Sequence, residues 1–177
     1  MDTAESEATV EPPSRAGEPL SHPSGLFVQV RGEISPRDAR WLAEQAQRAL
    51  APLELQGQVC VRVVGDREMD EAHRRWSGVP GATDVLTFDM RDDPAAPLET
   101  DLLVCIDEAR RQGEARGHTP ARELLLYIVH GVLHCLGHDD AEEHHARAMH
   151  ALEDELLTRA GVGPIYAAPP RAPEDAT

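Results

Sequence analysis

The chain has no lysine: all 17 of its basic side chains are arginine. Set against 32 acidic residues, they leave a formal net charge of −15. That balance excludes a protein held on nucleic acid by a general blanket of positive charge, because phosphate contact is driven by cationic side chains. Any contact with RNA requires the acidic residues to cluster away from it. Aromatic residues are scarce, at 3%, so a core must rest on Leu, Val, Ile and Ala. Cysteine is nearly absent too. Cys60, Cys105 and Cys135 are odd in number and form no CxxC pair, which excludes a disulfide scaffold and a cysteine zinc ribbon. All three read as small buried hydrophobes, and unpaired thiols suit a reducing compartment. No apolar run is long enough to span a bilayer. The first residues are acidic and lack the apolar segment of a secretory leader. The expectation is a cytoplasmic protein with no membrane contact.

What is present fits one domain with one sizeable core: 177 residues, 41% of them hydrophobic. Residues 1–24 are rich in Glu, Ser, Pro and Gly and read as a disordered tail. Residues 25–163 form the expected single domain, and 164–177 turn to Ala, Pro and charge as a loose second tail. Within the domain, Leu26–Val30 reads as a first strand. Ser35, Pro36 and Asp38 supply a cap, an N1 proline and an acidic first turn for a helix to about Leu50. Val59–Val64 is a β-branched strand, and Asp66 is the expected cap of a helix to about Trp76. A Gly/Pro turn follows at 77–82, then short strands at Asp84–Asp89 and Asp101–Ile106. A polar helix at 107–116 ends at Gly117. Thr119 and Pro120 open a long apolar helix. A last helix runs from about Ala141 to Ala160, with Gly161 as its stop. The expected fold is α+β: a small mixed sheet of about four strands, helices packed on it, and a central metal-binding helix in a zincin-like arrangement.

That helix carries the most informative stretch, HGVLHCLGHDD from His130 to Asp140. Residues four apart lie on one helix face, so His130 and His134 can aim at one point. The HExxH zinc helix of metalloproteases uses the same spacing. Their surroundings, Leu124, Leu125, Leu126, Ile128, Val129, Val132, Leu133 and Leu136, are apolar, and imidazoles buried there need partners. Gly137 sits where helices often end in a left-handed residue, so the chain can swing back to supply a third ligand. Asp140 is the expected ligand, with His138 and then Asp139 behind it; otherwise Asp140 caps the following helix. Three protein ligands with one open position are the pattern of a catalytic zinc. Cys135 points about 100° away from His134 around the helix and is not in line with the pair.

The segment Thr83-Asp84-Val85-Leu86-Thr87-Phe88, followed by HGVLHCLGHDD, resembles the YbeY family of endoribonucleases, which are rRNA maturation factors. Residues 69–76 look like the family's helix before that strand, and 99–107 like its next strand. Met149, Glu153 and Glu155 fall in a closing helix like the family's. The resemblance covers roughly 59–157. The family's usual motif is H-G-x-L-H-x-x-G-Y-D-H, and its three histidines bind zinc. The first two fall here on His130 and His134, the third on Asp140, and the usual tyrosine on His138. A carboxylate in place of a neutral imidazole makes the site one charge unit more negative, so the metal lowers the pKa of bound water less, and admits harder divalent metals more readily. The usual Arg after the helix aromatic is Ser77, and the usual Gly before the strand Asp is Thr100.

The resemblance implies one zinc ion per chain, cleavage of single-stranded RNA rather than DNA, and a role on the small ribosomal subunit. There it implies processing of the 3′ end of the small-subunit rRNA and a part in ribosome quality control. The residues suggest roles around that site. Gly131 stands where HExxH proteases carry their general base, which argues against peptide hydrolysis. His138 is a base candidate if it is not a ligand. Asp84 and Thr87 line the groove or serve turn and sheet structure. Arg74 and Arg75 position phosphates or form a solvated helix face. His144, His145 and His150 lie on a charged helix and are expected to be solvated. Two other functions stay open: a zinc hydrolase of another substrate class, and a non-catalytic ribosome-associated factor whose metal is structural.

Overall fold

The computed structural model describes residues 25–166; both expected tails, apart from 164–166, lie outside the described residues. The elements follow in the order β1 (Leu26–Gly32), α1 (Pro36–Leu50), β2 (Gly57–Val64), α2 (Asp66–Ser77), β3 (Val85–Asp89), β4 (Leu98–Cys105), α3 (Ile106–Arg116), α4 (Pro120–Cys135) and α5 (Glu143–Arg159). The sheet order is β1-β2-β4-β3. β1, β2 and β4 are parallel, and β3 runs antiparallel at the edge beside β4. This is the expected α+β fold with a four-stranded mixed sheet.

Strand alternation divides the sheet into two faces. Val59, Val61 and Val63 of β2 and Leu102 and Val104 of β4 join the main core with α1, α4 and α5. Val64, Leu103 and Cys105 point the other way, onto Met69 and Ala72 of α2. β3 alternates too: Leu86 and Phe88 pack toward α2, while the Thr87 hydroxyl abuts Gly131 of α4. α4 is buried along nearly its whole length, from Glu123 to Leu133, so the sheet and helices hold it from several sides.

The local signals act mostly as read. Ser35 caps α1 by accepting from the Asp38 N–H at 3.1 Å, with Pro36 behind it. Gly137 is left-handed at φ 89°. The His138 N–H donates to Leu133 O at 3.1 Å and the Gly137 N–H to His134 O at 3.0 Å, the two bonds of a Schellman closure. Asp66 does not cap α2. Gly65 holds the cap position and no side chain bonds there. The Asp66 carboxylate is turned instead to Arg111, at 2.7 and 2.8 Å, and its N–H is taken by Asp107 Oδ2 at 2.9 Å. β4 begins at Leu98 rather than Asp101, because Leu98, Glu99 and Thr100 continue the register against Gly57, Gln58 and Val59. α5 begins at Glu143 rather than near Ala141, because Asp139 Oδ1 accepts the Ala141 N–H at 3.1 Å and keeps that segment in a turn. Cys60 is only half-buried and accepts from Gln58 Nε2 at 2.8 Å. Residues 164–166, the first of the expected tail, are held to the domain. Arg122 donates to Pro164 O at 2.7 Å, and Asp154 Oδ1 accepts the N–H groups of Ile165 and Tyr166 at 2.6 and 3.1 Å.

Candidate metal centre

Three side chains converge where α4 ends. His130 and His134 lie one turn apart with their Nε2 atoms at 2.9 Å. The Gly137 reversal returns Asp140 toward them, with Oδ2 at 3.6 Å from His130 Nε2 and Oδ1 at 3.7 Å from His134 Nε2. Exposure is graded across the set: 14% for the His130 side chain, 31% for His134 and 40% for Asp140. One flank of the group is therefore packed and the other faces solvent.

The outer nitrogens decide how the rings are protonated. His130 Nδ1 lies 2.7 Å from Glu153 Oε1, and His134 Nδ1 lies 3.0 Å from His138 O. A carboxylate and a carbonyl only accept, so each Nδ1 carries the proton. Both Nε2 atoms then present lone pairs to the same small space, with carboxylate oxygens on its third side. A cation or a shared proton relieves the repulsion between these lone pairs. Two imidazoles and a carboxylate are a donor set that zinc and related divalent ions accept, and the residues present fit such an ion. Burial pulls the His130 pKa down, but the hydrogen bond and charge of Glu153, with the charges of Asp84 and Asp140, more than offset it and leave the ring above its ordinary value.

Glu153 had no assigned role in the sequence. It lies 23 residues beyond His130, is fully buried, and leaves Oε2 without a hydrogen-bond partner among the described residues. The signal was an acid on the apolar stripe of α5, between Met149 and Leu156; a fully buried carboxylate at such a position needs a partner.

The other candidates are placed as follows. The His138 imidazole is exposed and stays outside the converging group; only its carbonyl enters, through His134. Asp139 is turned to the Ala141 N–H. Burial pushes the Cys135 thiol up, and it faces Thr100 Oγ1 at 3.3 Å. Asp84 lies just before β3, its Oδ1 accepting from Val85 N–H at 2.8 Å and the Thr83 hydroxyl at 3.0 Å, and its charge reaches His130. Arg74 and Arg75 ride on α2, against the opposite face of the sheet. Arg74 pairs with Asp70 at 3.0 Å, and Arg75 lies 5.5 Å from the Trp76 ring. Gly131 is closely packed: a Cβ there would meet Leu102 Cδ2 at 2.8 Å and Thr87 Oγ1 at 2.9 Å. Glu142, His144 and His145 form a second group that could hold an ion, but all three are exposed. His150 is stacked on Tyr166 at 3.9 Å rather than free in solvent.

The family model for the Endoribonuclease YbeY matches residues 29–161. The chain belongs to this family. Family members named Endoribonuclease YbeY are similar over most of its length: 35% identity to that of Nocardioides sp., covering 75% of this chain and 96% of the relative. The protein of Thermobifida fusca is 38% identical, covering 75% and 92%, and that of Mycobacterium sp. (strain KMS) 39%, covering 78% and 80%. The solution structure of TM1509 from Thermotoga maritima shares the fold, with a TM-score of 0.54 at 20% identity over 82% of this chain and 99% of that one. Within the YbeY family match lie both histidines, Asp140, Glu153 and the β3 segment.

Proposed function

We propose that the chain is a zinc-dependent endoribonuclease that cleaves single-stranded RNA. As a member of its family it is an RNA-cleaving hydrolase. The finer reading places its substrate at the 3′ end of the small-subunit rRNA precursor, with the small ribosomal subunit as partner and a part in ribosome quality control. It works in the cytoplasm; unpaired cysteines suit that compartment, and among the described residues no helix is long and apolar enough to cross a membrane. The observation that carries the reading is the pair of imidazole lone pairs and one carboxylate closing on a single point, with solvent on one side.

His130, His134 and Asp140 would hold one ion. When bound, zinc supplies Lewis acidity toward a phosphoryl oxygen and a water of lowered pKa. Glu153 and the His138 carbonyl fix the two ring orientations and tautomers, which is the usual task of partners behind metal-ligating histidines. His138, exposed at the bend, is assigned the proton taken from attacking water; Asp84 adds negative charge near His130 and lines the approach. Arg74 and Arg75 are assigned to more distant strand contacts, since they lie across the sheet. Gly131 speaks against proteolysis: it has no carboxylate, and its packing leaves no space for one. A structural zinc has four protein ligands as a rule, and three side chains converge among the described residues, which favours an enzyme over a structural metal.

The test combines metal analysis with cleavage of a single-stranded RNA, a duplex and a peptide, with and without chelator. We expect cleavage of the single strand alone, lost on chelation. Metal occupancy should collapse in His134→Ala and Asp140→Ala and persist in His138→Ala. Retained metal in Asp140→Ala with loss in His138→Ala would reassign the third ligand; chelator-resistant cleavage would end the metal reading.

A further inference from the structure

One helical turn before His130, Tyr127 lines a cleft of about 330 Å³ walled by Thr83, Asp84, Glu108, Gln112, Arg116 and Tyr166. Tyr127 is 3% exposed, and its hydroxyl has no hydrogen-bond partner among the described residues. A buried hydroxyl without a partner is costly. Tyr127 shares the cleft wall with Asp84, Glu108 and Arg116. The cleft therefore joins a tyrosine whose hydroxyl is unpartnered among the described residues to several charged and polar side chains.

Two of those groups present unbonded acceptors. Both hydrogen bonds to Asp84 end on Oδ1, leaving Oδ2 without one among the described residues. Gln112 gives its amide N–H to Glu108 Oε1 at 2.8 Å, and its carbonyl oxygen has no hydrogen bond among the described residues. The Arg116 guanidinium is held at 2.9–3.0 Å by Glu123 and lies 5.3 Å from the Tyr166 ring. Acceptors, a hydroxyl that can donate or accept, and a nearby cation make a mixed set. Asp84 and Glu108 repel a phosphate. A simple amine or metal cation matches the carboxylates but not Arg116 or the tyrosine donor. The edge of a nucleobase alternates donors and acceptors, and the cleft is at the small end of ligand pockets, which run from roughly 300 to 1,000 Å³.

We propose that this cleft is a nucleobase subsite, in which an unpaired base beside the scissile bond is read through its Watson–Crick edge by the Tyr127 hydroxyl and Asp84 Oδ2. The proposal rests on the RNA reading above and deepens it. In a duplex that edge is already engaged, so the cleft would confine cleavage to unpaired strands. It also gives an acidic protein a way to hold RNA through bases rather than phosphates.

The chain has two tyrosines, and both line the cleft, so carbon-13 labelling of tyrosine reports on it directly. Adenosine, guanosine, cytidine and uridine are titrated at millimolar concentration into the folded protein, beside nucleosides methylated on the Watson–Crick edge and spermidine. We expect at least one natural nucleoside to move the Tyr127 and Tyr166 signals and its edge-methylated form to leave them unmoved. Tyr127→Phe should weaken binding about fivefold, read on Tyr166, as the loss of one neutral hydrogen bond implies. Asp84→Asn should change which base binds best, since it puts a donor where an acceptor stood. Absence of any nucleoside shift, equal shifts from edge-methylated forms, or a response to spermidine alone would overturn the subsite. Nucleoside binding does not depend on cleavage: a protein that binds nucleosides but leaves RNA intact would refute the nuclease and keep the cleft, and the converse would do the opposite.

Discussion

His130 is held from behind by a carboxylate that is itself sealed from water. Glu153 is fully buried, and its Oε1 lies 2.7 Å from His130 Nδ1. Removing such a partner from a metal-ligating histidine typically lowers metal affinity about 10–100-fold. We therefore expect Glu153→Ala to weaken zinc binding by that order in chelator competition, with the fold retained by circular dichroism. Glu153→Gln should recover part of the loss, because the amide oxygen still accepts the Nδ1 proton. Unchanged affinity in Glu153→Ala would remove Glu153 from the site and leave it a packing residue. At this scale the sequence was legible wherever partners were near in the chain. His130 and His134 meet through helix periodicity, and Asp140 through one glycine reversal. Glu153 was not legible as a partner because α5 brings it to His130 across 23 residues. Asp66 shows the same lesson reversed: its local signal named it a cap, but the fork of Arg111, 45 residues away, took the carboxylate.

β3 and α4 meet through a glycine. Ala is the better helix former by about 1 kcal/mol, so an exposed Gly131→Ala would stabilise α4. Here the added methyl would stand 2.8 Å from Leu102 Cδ2 and 2.9 Å from Thr87 Oγ1. Leu102 is fully buried and cannot swing away, and Thr87 is stiff at χ1. Overpacking costs about 1–3 kcal/mol, which outweighs the gain in helix propensity. Gly131→Ala should lower the melting temperature by about 2–4 °C, the shift that about 1 kcal/mol produces in a domain of this size. A rise in thermal scans would show that the contact is not tight. Periodicity and caps placed nearly every element, since α1, α4 and the β-branched β2 are locally unambiguous. Strand order was not legible. β3 follows β2 in the chain, yet β4 lies between them, and only side-chain alternation in three dimensions shows why: Leu102 faces α4 and Leu103 faces α2.

At the scale of the molecule, much of the positive charge among the described residues is already engaged by carboxylates. Among the described residues at least nine arginines lie in ion pairs with carboxylates: Arg62, Arg67, Arg74, Arg91, Arg110, Arg111, Arg116, Arg147 and Arg159. Several of these carboxylates are tightly claimed. Asp89 is held below its ordinary pKa by hydrogen bonds and charge from Arg91, and Asp66 by those from Arg111. Arginines engaged in this way do not release counterions from RNA without first giving up a partner. For single strands the logarithm of affinity falls against the logarithm of salt with a slope of about −0.7 for each phosphate neutralised. A base-reading cleft and a single ion touching one phosphate predict a shallow slope, no steeper than about −2. Fluorescence anisotropy of a labelled single strand across a salt series measures it. A slope near −5 would mean that about seven phosphates are neutralised, so that the paired arginines exchange partners on binding and the strand is held along its backbone rather than by its bases.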